Sequence, residues 1–454
     1  MTEIKIKSSC SSEKSDNAFG FGRVLGLLIQ VILLPALIGC LSGLSGMVLA
    51  ITLHFVQHLA YGYSLDAVIS SESFLQGVTA ASASRRFSIL VLCGVVAGVG
   101  WYGLARFGRP LTSVGAAVGS NLTRMPFVET IVHGLLQMIT VALGSPLGRE
   151  VAPREWGALM AQKLVDVLHV PPDGARTLVA CGAGAGLGAV YDVPIASTIF
   201  VMEVLLRHFQ LKAFVSAAVS CTVAAWLART ELGNDLQYSV PEYIVDGELI
   251  LWAALIGVPF GAAGFAFGQW ISKCSAKADN GASRIWKSLL SFSMVGLVAT
   301  VLPQLLGNGK GPAQLAFANH LPLSLAAIII AAKLLCLTLV LRSGAKGGLL
   351  TPGFSLGALS AVVVGGLVQP WFPIASTGSL AILGAAAFLS SSMAMPITAI
   401  FLAIEFMDAP MTFLLPIAIA VSGATIAHAI LTRLFGADCR PSSRAANAEV
   451  RQSE

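Results

Sequence analysis

An arginine and a glutamate stand side by side in an otherwise apolar stretch, Leu143-Gly-Ser-Pro-Leu-Gly-Arg149-Glu150-Val-Ala-Pro153. Ionisable side chains in such surroundings are costly, and by default they mark a path for ions or protons. A glycine-rich loop entering a helix offers free backbone N–H groups and the positive end of the helix dipole, which together bind an anion. A carboxylate at that point can take the anion's place, be displaced by it, or be neutralised by a proton. That is the physics of a gate. The same residues also fit a capping glutamate in a salt bridge with Arg149 or Arg154, and the loop alone leaves both readings open.

A second loop, Gly344-Ala-Lys346-Gly-Gly-Leu349-Leu350-Thr-Pro352, again places glycines before a helix start. Leu349 and Leu350 can offer only backbone amides there. Amide donors, apolar walls and no full positive charge suit a weakly solvated anion such as chloride. Lys346 is a further pathway candidate.

The two loops belong to an internal repeat. Gly157-Ala-Leu-Met-Ala161 after the first is echoed by Gly357-Ala-Leu-Ser-Ala361 after the second, and Pro194-Ile195 followed by Glu203 is echoed by Pro396-Ile397 followed by Glu405. Gly182-Ala-Gly-Ala-Gly-Leu likewise matches Gly384-Ala-Ala-Ala-Phe-Leu, so the offset stays near 200 residues throughout. Two homologous halves around a shared midplane site is a transporter architecture. The symmetry favours Glu203 and Glu405 as structural helix-end carboxylates bonded to neighbouring backbone amides. His133 and Lys333 lie in apolar context and fit either a proton or ion path or a buried, hydrogen-bonded structural role.

Composition says what surrounds these loops. Of 454 residues, 56% are hydrophobic and 11% charged, with a mean hydropathy of +0.80. A soluble domain carries about 25% charge, so most of this surface must face lipid. Long apolar runs, such as Val24–Phe55, Leu249–Trp270 and Phe413–Leu434, alternate with short, glycine-broken pieces. Thr130–Leu143, Leu178–Val190, Ile195–Leu206, Ser355–Val368 and Leu380–Leu389 are shorter than the about 20 residues needed to cross the hydrocarbon core. Such pieces are expected where half-spanning helices aim their ends at a mid-membrane site. The 46 glycines serve close helix contacts and broken backbone alike.

The net charge of +5 is spread in short bunches between apolar runs, unlike a nucleic-acid footprint. The eight cysteines are scattered singly, without the spacing of a metal site or disulfide framework. No catalytic constellation rises above background, so an enzyme reading has little support. Lys5, Lys7, Lys14 and Arg23 precede the first apolar run, which argues for a cytoplasmic N-terminus. The expected organisation is a tail over 1–23, one membrane domain over 24–435 with repeats at about 24–230 and 245–435, and a polar tail over 436–454.

These motifs resemble those of the chloride channel/transporter (CLC) family. Gly148-Arg149-Glu150 is similar to its GREGP motif and Gly348-Leu-Leu-Thr-Pro352 to its GxFxP motif. Gly182–Ser197 resembles its AAAxAAAFNAPLAG segment, with Ala386–Glu405 as the second-half counterpart. The resemblance covers roughly residues 24–435 and implies an all-α polytopic membrane protein of two inverted repeats with tilted and half-spanning helices. It implies a homodimer with one pore per subunit, both termini cytoplasmic and, for a bacterial chain, placement in the inner membrane. Chloride is then the transported ion, with no cofactor or metal. Glu150 becomes the gating carboxylate, Leu349 and Leu350 central-site amides, and Arg149 a flanking anion-binding residue.

Four departures accompany it, one of them Val151-Ala152 in place of the family's Gly-Pro after Glu150. An ungapped count from Glu150 puts Arg109 where the family has its anion-coordinating serine, with Thr112 or Ser113 able to supply a hydroxyl after a small shift. Val204 stands in place of the internal proton-transfer glutamate, beside Glu203. No tyrosine follows Tyr243, so the family's C-terminal tyrosine has no match. The expected function is therefore transmembrane movement of chloride or a similar small anion through a glutamate-gated pore, channel-like or weakly proton-coupled. The alternative is a proton-coupled antiporter of chloride, fluoride or another anion.

Overall fold

The computed structural model describes residues 26–435 apart from 27, 64–72, 120–121, 235, 279–280 and 373–375. The tails at 1–23 and 436–454 lie outside them. The fold is a succession of helices. In the first half these are α1 (Leu34–Tyr61), α2 (Phe74–Ala80), α3 (Ala83–Phe107), α4 (Val114–Ala117), α5 (Phe127–Ala142), α6 (Val151–Val167), α7 (Pro172–Tyr191), α8 (Pro194–Phe200) and α9 (Leu211–Leu232). The second half holds α10 (Gly247–Ala276), α11 (Ser283–Val301), α12 (Lys310–Phe317), α13 (Leu323–Arg342), α14 (Leu350–Val368), α15 (Thr377–Met393), α16 (Pro396–Met407) and α17 (Leu414–Phe435). Among the described residues, eight helices are long and apolar enough to cross a membrane, and α5, α8 with its π-helical extension, α15 and α16 are shorter apolar pieces.

Packing repeats with the sequence. In the first half α6 lies on α7, α7 on α9, and α9 on α1; in the second α14 lies on α15, α15 on α17, and α17 on α10. The halves are inverted repeats, and they meet through equivalent elements, α3 against α11 and α8 against α16. Such self-matching contacts follow from two-fold related halves, as at an isologous interface.

Glycine sets the closeness of the crossing behind each loop. A Cβ at Gly157 would lie 2.1 Å from the Gly182 carbonyl, and one at Gly357 2.6 Å from that of Gly384. Backbones therefore touch where α6 crosses α7 and where α14 crosses α15, which fixes the angle at which α6 and α14 present their N-termini.

Several expected half-spans are longer than the sequence suggested: the piece at Leu178–Val190 is part of the 20-residue α7, and that at Leu380–Leu389 part of the 17-residue α15. The piece at Ser355–Val368 begins earlier, at Leu350, and runs 19 residues. Its extra turn is supplied by Leu-Thr-Pro-Gly, in which Pro352 enters the first turn, where its missing N–H costs nothing. This helix is mostly buried in protein, so its apolar character serves packing as much as lipid.

Candidate functional site

Both loops are built alike. Gly144 and Gly344 take left-handed φ values of 102° and 95°, which glycine adopts without strain. The Ser145 N–H then returns to the Thr140 carbonyl at 3.0 Å, and the Ala345 N–H to that of Val340 at 3.3 Å. The loops are joined by an antiparallel bridge: the Gly148 N–H donates to the Gly348 carbonyl at 2.7 Å and the Gly348 N–H to that of Gly148 at 2.8 Å. Further bonds hold the first loop in place. Tyr61 Oη donates to the Leu143 carbonyl at 2.9 Å. Lys333 Nζ, fully buried, donates to the Gly307 carbonyl at 2.6 Å, and the Gly307 N–H reaches the Gly144 carbonyl at 3.1 Å. Lys333 thus ties the second half to the first loop.

Glu150 is 0% exposed and sits at this junction. Its Oε1 accepts the Leu350 N–H at 2.5 Å. Its Oε2 accepts from Tyr191 Oη at 3.3 Å, and that hydroxyl also meets Thr351 Oγ1 at 3.1 Å. The carboxylate occupies space left by two absent side chains: a Cβ at Gly148 would lie 2.1 Å from Oε2, and one at Gly348 2.1 Å from Cδ. Oε1 therefore takes up a free amide at the N-terminus of α14, the positive end of that helix.

The neighbouring cations do not neutralise it directly. Among the described residues, neither Arg149 nor Arg154 brings a nitrogen within 4.0 Å of its carboxylate. The Arg149 guanidinium lies over the Tyr191 ring, 5.0 Å from its centroid, and reaches Gln237 Oε1 at 3.3 Å. Arg154 Nε donates to the Glu150 carbonyl at 3.0 Å, and its guanidinium lies 5.3 Å from the Phe200 centroid. The salt-bridged cap left open by the sequence is not the arrangement found. A buried carboxylate with one amide, one hydroxyl and no ion pair is costly as a permanent fixture.

The remaining candidates are distributed as follows. Leu349 and Leu350 form the N-terminus of α14 at the junction. Arg109 does not come to Glu150. Its Nε and Nη2 donate to Glu129 at 3.0 and 2.9 Å, its N–H donates to the same carboxylate, and its side chain is 66% exposed. Thr112 Oγ1 donates to the Arg124 carbonyl at 3.0 Å, and Ser113 caps α4 through the Ala116 N–H. The serine-bearing segment expected near the anion thus spends its polar groups elsewhere. Lys346 is exposed, and Val204 is half-buried in the π-helical turn Val201–Leu206.

Glu203 and Glu405 do bond to helix-end amides, but each to the opposite half. The Glu203 carboxylate accepts from the N–H groups of Ile397 and Thr398 at 2.9 and 2.7 Å and from Thr398 Oγ1 at 2.6 Å. The Glu405 carboxylate accepts from those of Ile195 and Ala196 at 2.9 and 2.6 Å. Charge-assisted capping of this kind is worth about 1.5–3 kcal/mol per bond. Glu203→Gln with Glu405→Gln, which leaves one acceptor oxygen per side chain, is expected to lower the apparent melting temperature in detergent well beyond either single change. Unchanged melting of the double variant would remove the clasp from the fold's energetics.

Tyr191 is the site residue that the motifs did not single out. It ends α7, in the segment whose family counterpart reads Phe-Asn-Ala-Pro, and the readable signal was a hydroxyl where that motif carries phenylalanine. Tyr191→Phe keeps the ring under Arg149 and removes the bond to Glu150. A hydrogen bond of this length to a carboxylate is worth about 1 kcal/mol, or roughly fivefold in the carboxylate's hold on the Leu350 amide. Anion flux at alkaline pH is expected to rise by about that factor; flux identical to the unmutated protein at every pH would show the hydroxyl to be idle.

Comparison with known proteins agrees with this architecture. The family model described as voltage gated chloride channel matches residues 89–429. The H(+)/Cl(-) exchange transporter ClcA of Cronobacter sakazakii is 28% identical over 431 residues, covering 88% of this chain and 86% of the relative. That of Vibrio campbellii is 26% identical over 420 residues, covering 88% and 87%. Among solved structures, a slow cyanobacterial Cl−/H+ antiporter superposes with a TM-score of 0.77 at 20% identity, covering 90% of this chain and 95% of the other. A CLC-type fluoride/proton antiporter gives 0.65 at 21% identity, covering 88% and 95%. With the matched model spanning both loops and both helix-end glutamates, this polytopic membrane protein belongs to the CLC family of voltage-gated chloride channels and transporters.

Proposed function

We propose that the protein is a proton-coupled exchanger of a small inorganic anion, chloride first, in which Glu150 alternates between filling the anion seat and carrying the proton. The observation that carries this reading is the buried Glu150 carboxylate on the Leu350 amide, with no cation paired to it among the described residues. Deprotonated, the side chain competes with the anion for the amide. Protonated, it binds the amide more weakly and cedes the seat. The two events are mutually exclusive at one position, and that exclusion is what couples opposing fluxes.

Val204 pointed towards a channel-like or weakly coupled mechanism, and the relatives argue against giving it that weight, since those matched along most of their length are named exchangers. The exchange reading is therefore preferred. Leu349, Leu350, Thr351 and Tyr191 line the anion seat, while Arg149 and Arg154 supply a positive field from the side. A homodimer in the bacterial inner membrane with both termini cytoplasmic completes the proposal.

The test is chloride efflux from proteoliposomes of the purified protein with external pH recorded simultaneously. Uphill proton movement driven by the chloride gradient is expected. Chloride release without proton movement would return the protein to the channel reading. Competition with fluoride and nitrate in the same assay fixes which anion the seat prefers.

A further inference from the structure

A second group of ionisable side chains lies inside the helix bundle, away from the anion seat. His133 on α5 and Glu155 on α6 are nearly buried, their side chains 8% and 12% exposed. Nδ1 of His133 stands 2.9 Å from Glu155 Oε2. Gln137, one turn further along α5, brings Nε2 to 2.9 Å from the same ring nitrogen and 3.1 Å from the same carboxylate oxygen.

This triangle holds two proton placements. A single ring nitrogen cannot donate to Glu155 and accept from Gln137 at once. With both ring nitrogens protonated, the imidazolium Nδ1–H donates to the carboxylate and Gln137 donates to it as well. With that proton moved to Glu155 Oε2 and Nε2–H kept, the neutral acid donates to the Nδ1 lone pair while Gln137 keeps its bond to the carboxyl oxygen. The proton leaves nitrogen for oxygen, charge balances, and no heavy atom need move. Histidine is the side chain whose ordinary titration range makes such a transfer accessible near neutral pH.

The group also has a route at each end. Glu129, one turn before His133 on α5, is bound to the exposed Arg109, so a wetted polar pair starts the stripe. Beyond Gln137, Thr140 Oγ1 donates to the Gln137 carbonyl at 3.0 Å, and the loop to Glu150 opens from the same turn. On α6, Glu155 follows Arg154, whose guanidinium lies within electrostatic range of both the Glu150 and Glu155 carboxylates. The other helices packed on α5 contribute different groups: α3 brings Cys93, bonded to the Thr140 carbonyl, and α1 carries His54, which lies in the field of Arg149 and Lys310. The buried amide oxygen of Gln137 has no donor among the described residues, an acceptor site within the stripe.

We infer that His133 and Glu155, bridged by Gln137, form an intramembrane proton-carrying pair that exchanges protons between the Arg109–Glu129 end of α5 and Glu150. The inference rests on the exchange reading above and names the groups that serve its proton limb. A structural ion pair alone would support folding and leave the ratio of protons to anions untouched.

The experiment compares the unmutated protein with His133→Gln, Glu155→Gln and Glu155→Asp in proteoliposomes, recording chloride release and pH together. Protons moved per chloride are expected to fall by about 10²-fold in both glutamine variants and to recover in Glu155→Asp. A ratio at the unmutated level in both glutamine variants overturns the assignment. Should those variants release no chloride, Gln137→Leu, which keeps both titrating groups, is read the same way: a reduced ratio supports the pair and an unchanged one overturns it. Chloride release without protons by the unmutated protein is instead the failure of the exchange reading, and the pair falls with it.

Discussion

Glu150→Gln is expected to abolish proton movement driven by a chloride gradient, by a factor on the order of 10² or more, while anion flux loses its dependence on pH. The glutamine carbonyl can still accept the Leu350 N–H that now reaches Oε1 at 2.5 Å. What it cannot do is bind and release a proton in the accessible pH range, so the seat no longer exchanges charge for charge. Simultaneous chloride and pH electrodes on proteoliposomes give both quantities in one record. Retained uphill proton movement in this variant would place the coupling group elsewhere.

The second large effect belongs to a residue with no side chain. A Cβ at Gly348 would fall 2.1 Å from Glu150 Cδ and 2.1 Å from its Oε1, while the backbone there is not left-handed, so alanine fits the main chain and not the carboxylate. Overpacking of this degree costs about 2 kcal/mol, or roughly 30-fold in occupancy of the seat. Gly348→Ala is therefore expected to raise apparent anion affinity at alkaline pH by about that factor, because the competing carboxylate is expelled while the Leu350 amide remains. The carboxyl group is retained in this variant, which separates it from Glu150→Gln: proton movement is expected to persist, and only the competition to be relieved. A measured affinity equal to that of the unmutated protein would mean that the carboxylate does not sit in the anion's place during transport.

Much of this was legible before any coordinates. The repeat, the two glycine-rich loops and the carboxylate between them are local patterns, and Gly144 and Gly344 or Glu150 and Leu350 can be matched by offset alone. What escaped was tertiary. Arg109 is paired with Glu129, about twenty residues away, and nothing in either segment advertises that pairing. Glu203 and Glu405 read as helix-end carboxylates, yet their partners are the helix starts of the other half, an exchange that follows from the two-fold arrangement and not from spacing. Tyr191 reaches Glu150 only because the end of α7 meets the two loops, a contact that spacing within its own segment does not specify. The partnership of His133 with Glu155 depends on how α5 meets α6, which no periodicity specifies.

One coincidence of the repeat has a wider meaning. Glu150 and Leu350 occupy equivalent positions in the two halves, and the amide of one holds the side chain of the other. The backbone around them is close to indifferent between the two faces of the membrane, since rotating the halves about their shared axis exchanges the loops. The side chains break that equivalence, with Glu150 and Tyr191 contributed by one half and Leu350 and Lys333 by the other, so the two faces meet a chemically different junction. A scaffold of this kind can acquire vectorial behaviour, or reverse it, with hardly any change of architecture, and its polarity in the bilayer is a matter of chemistry written on a symmetric frame.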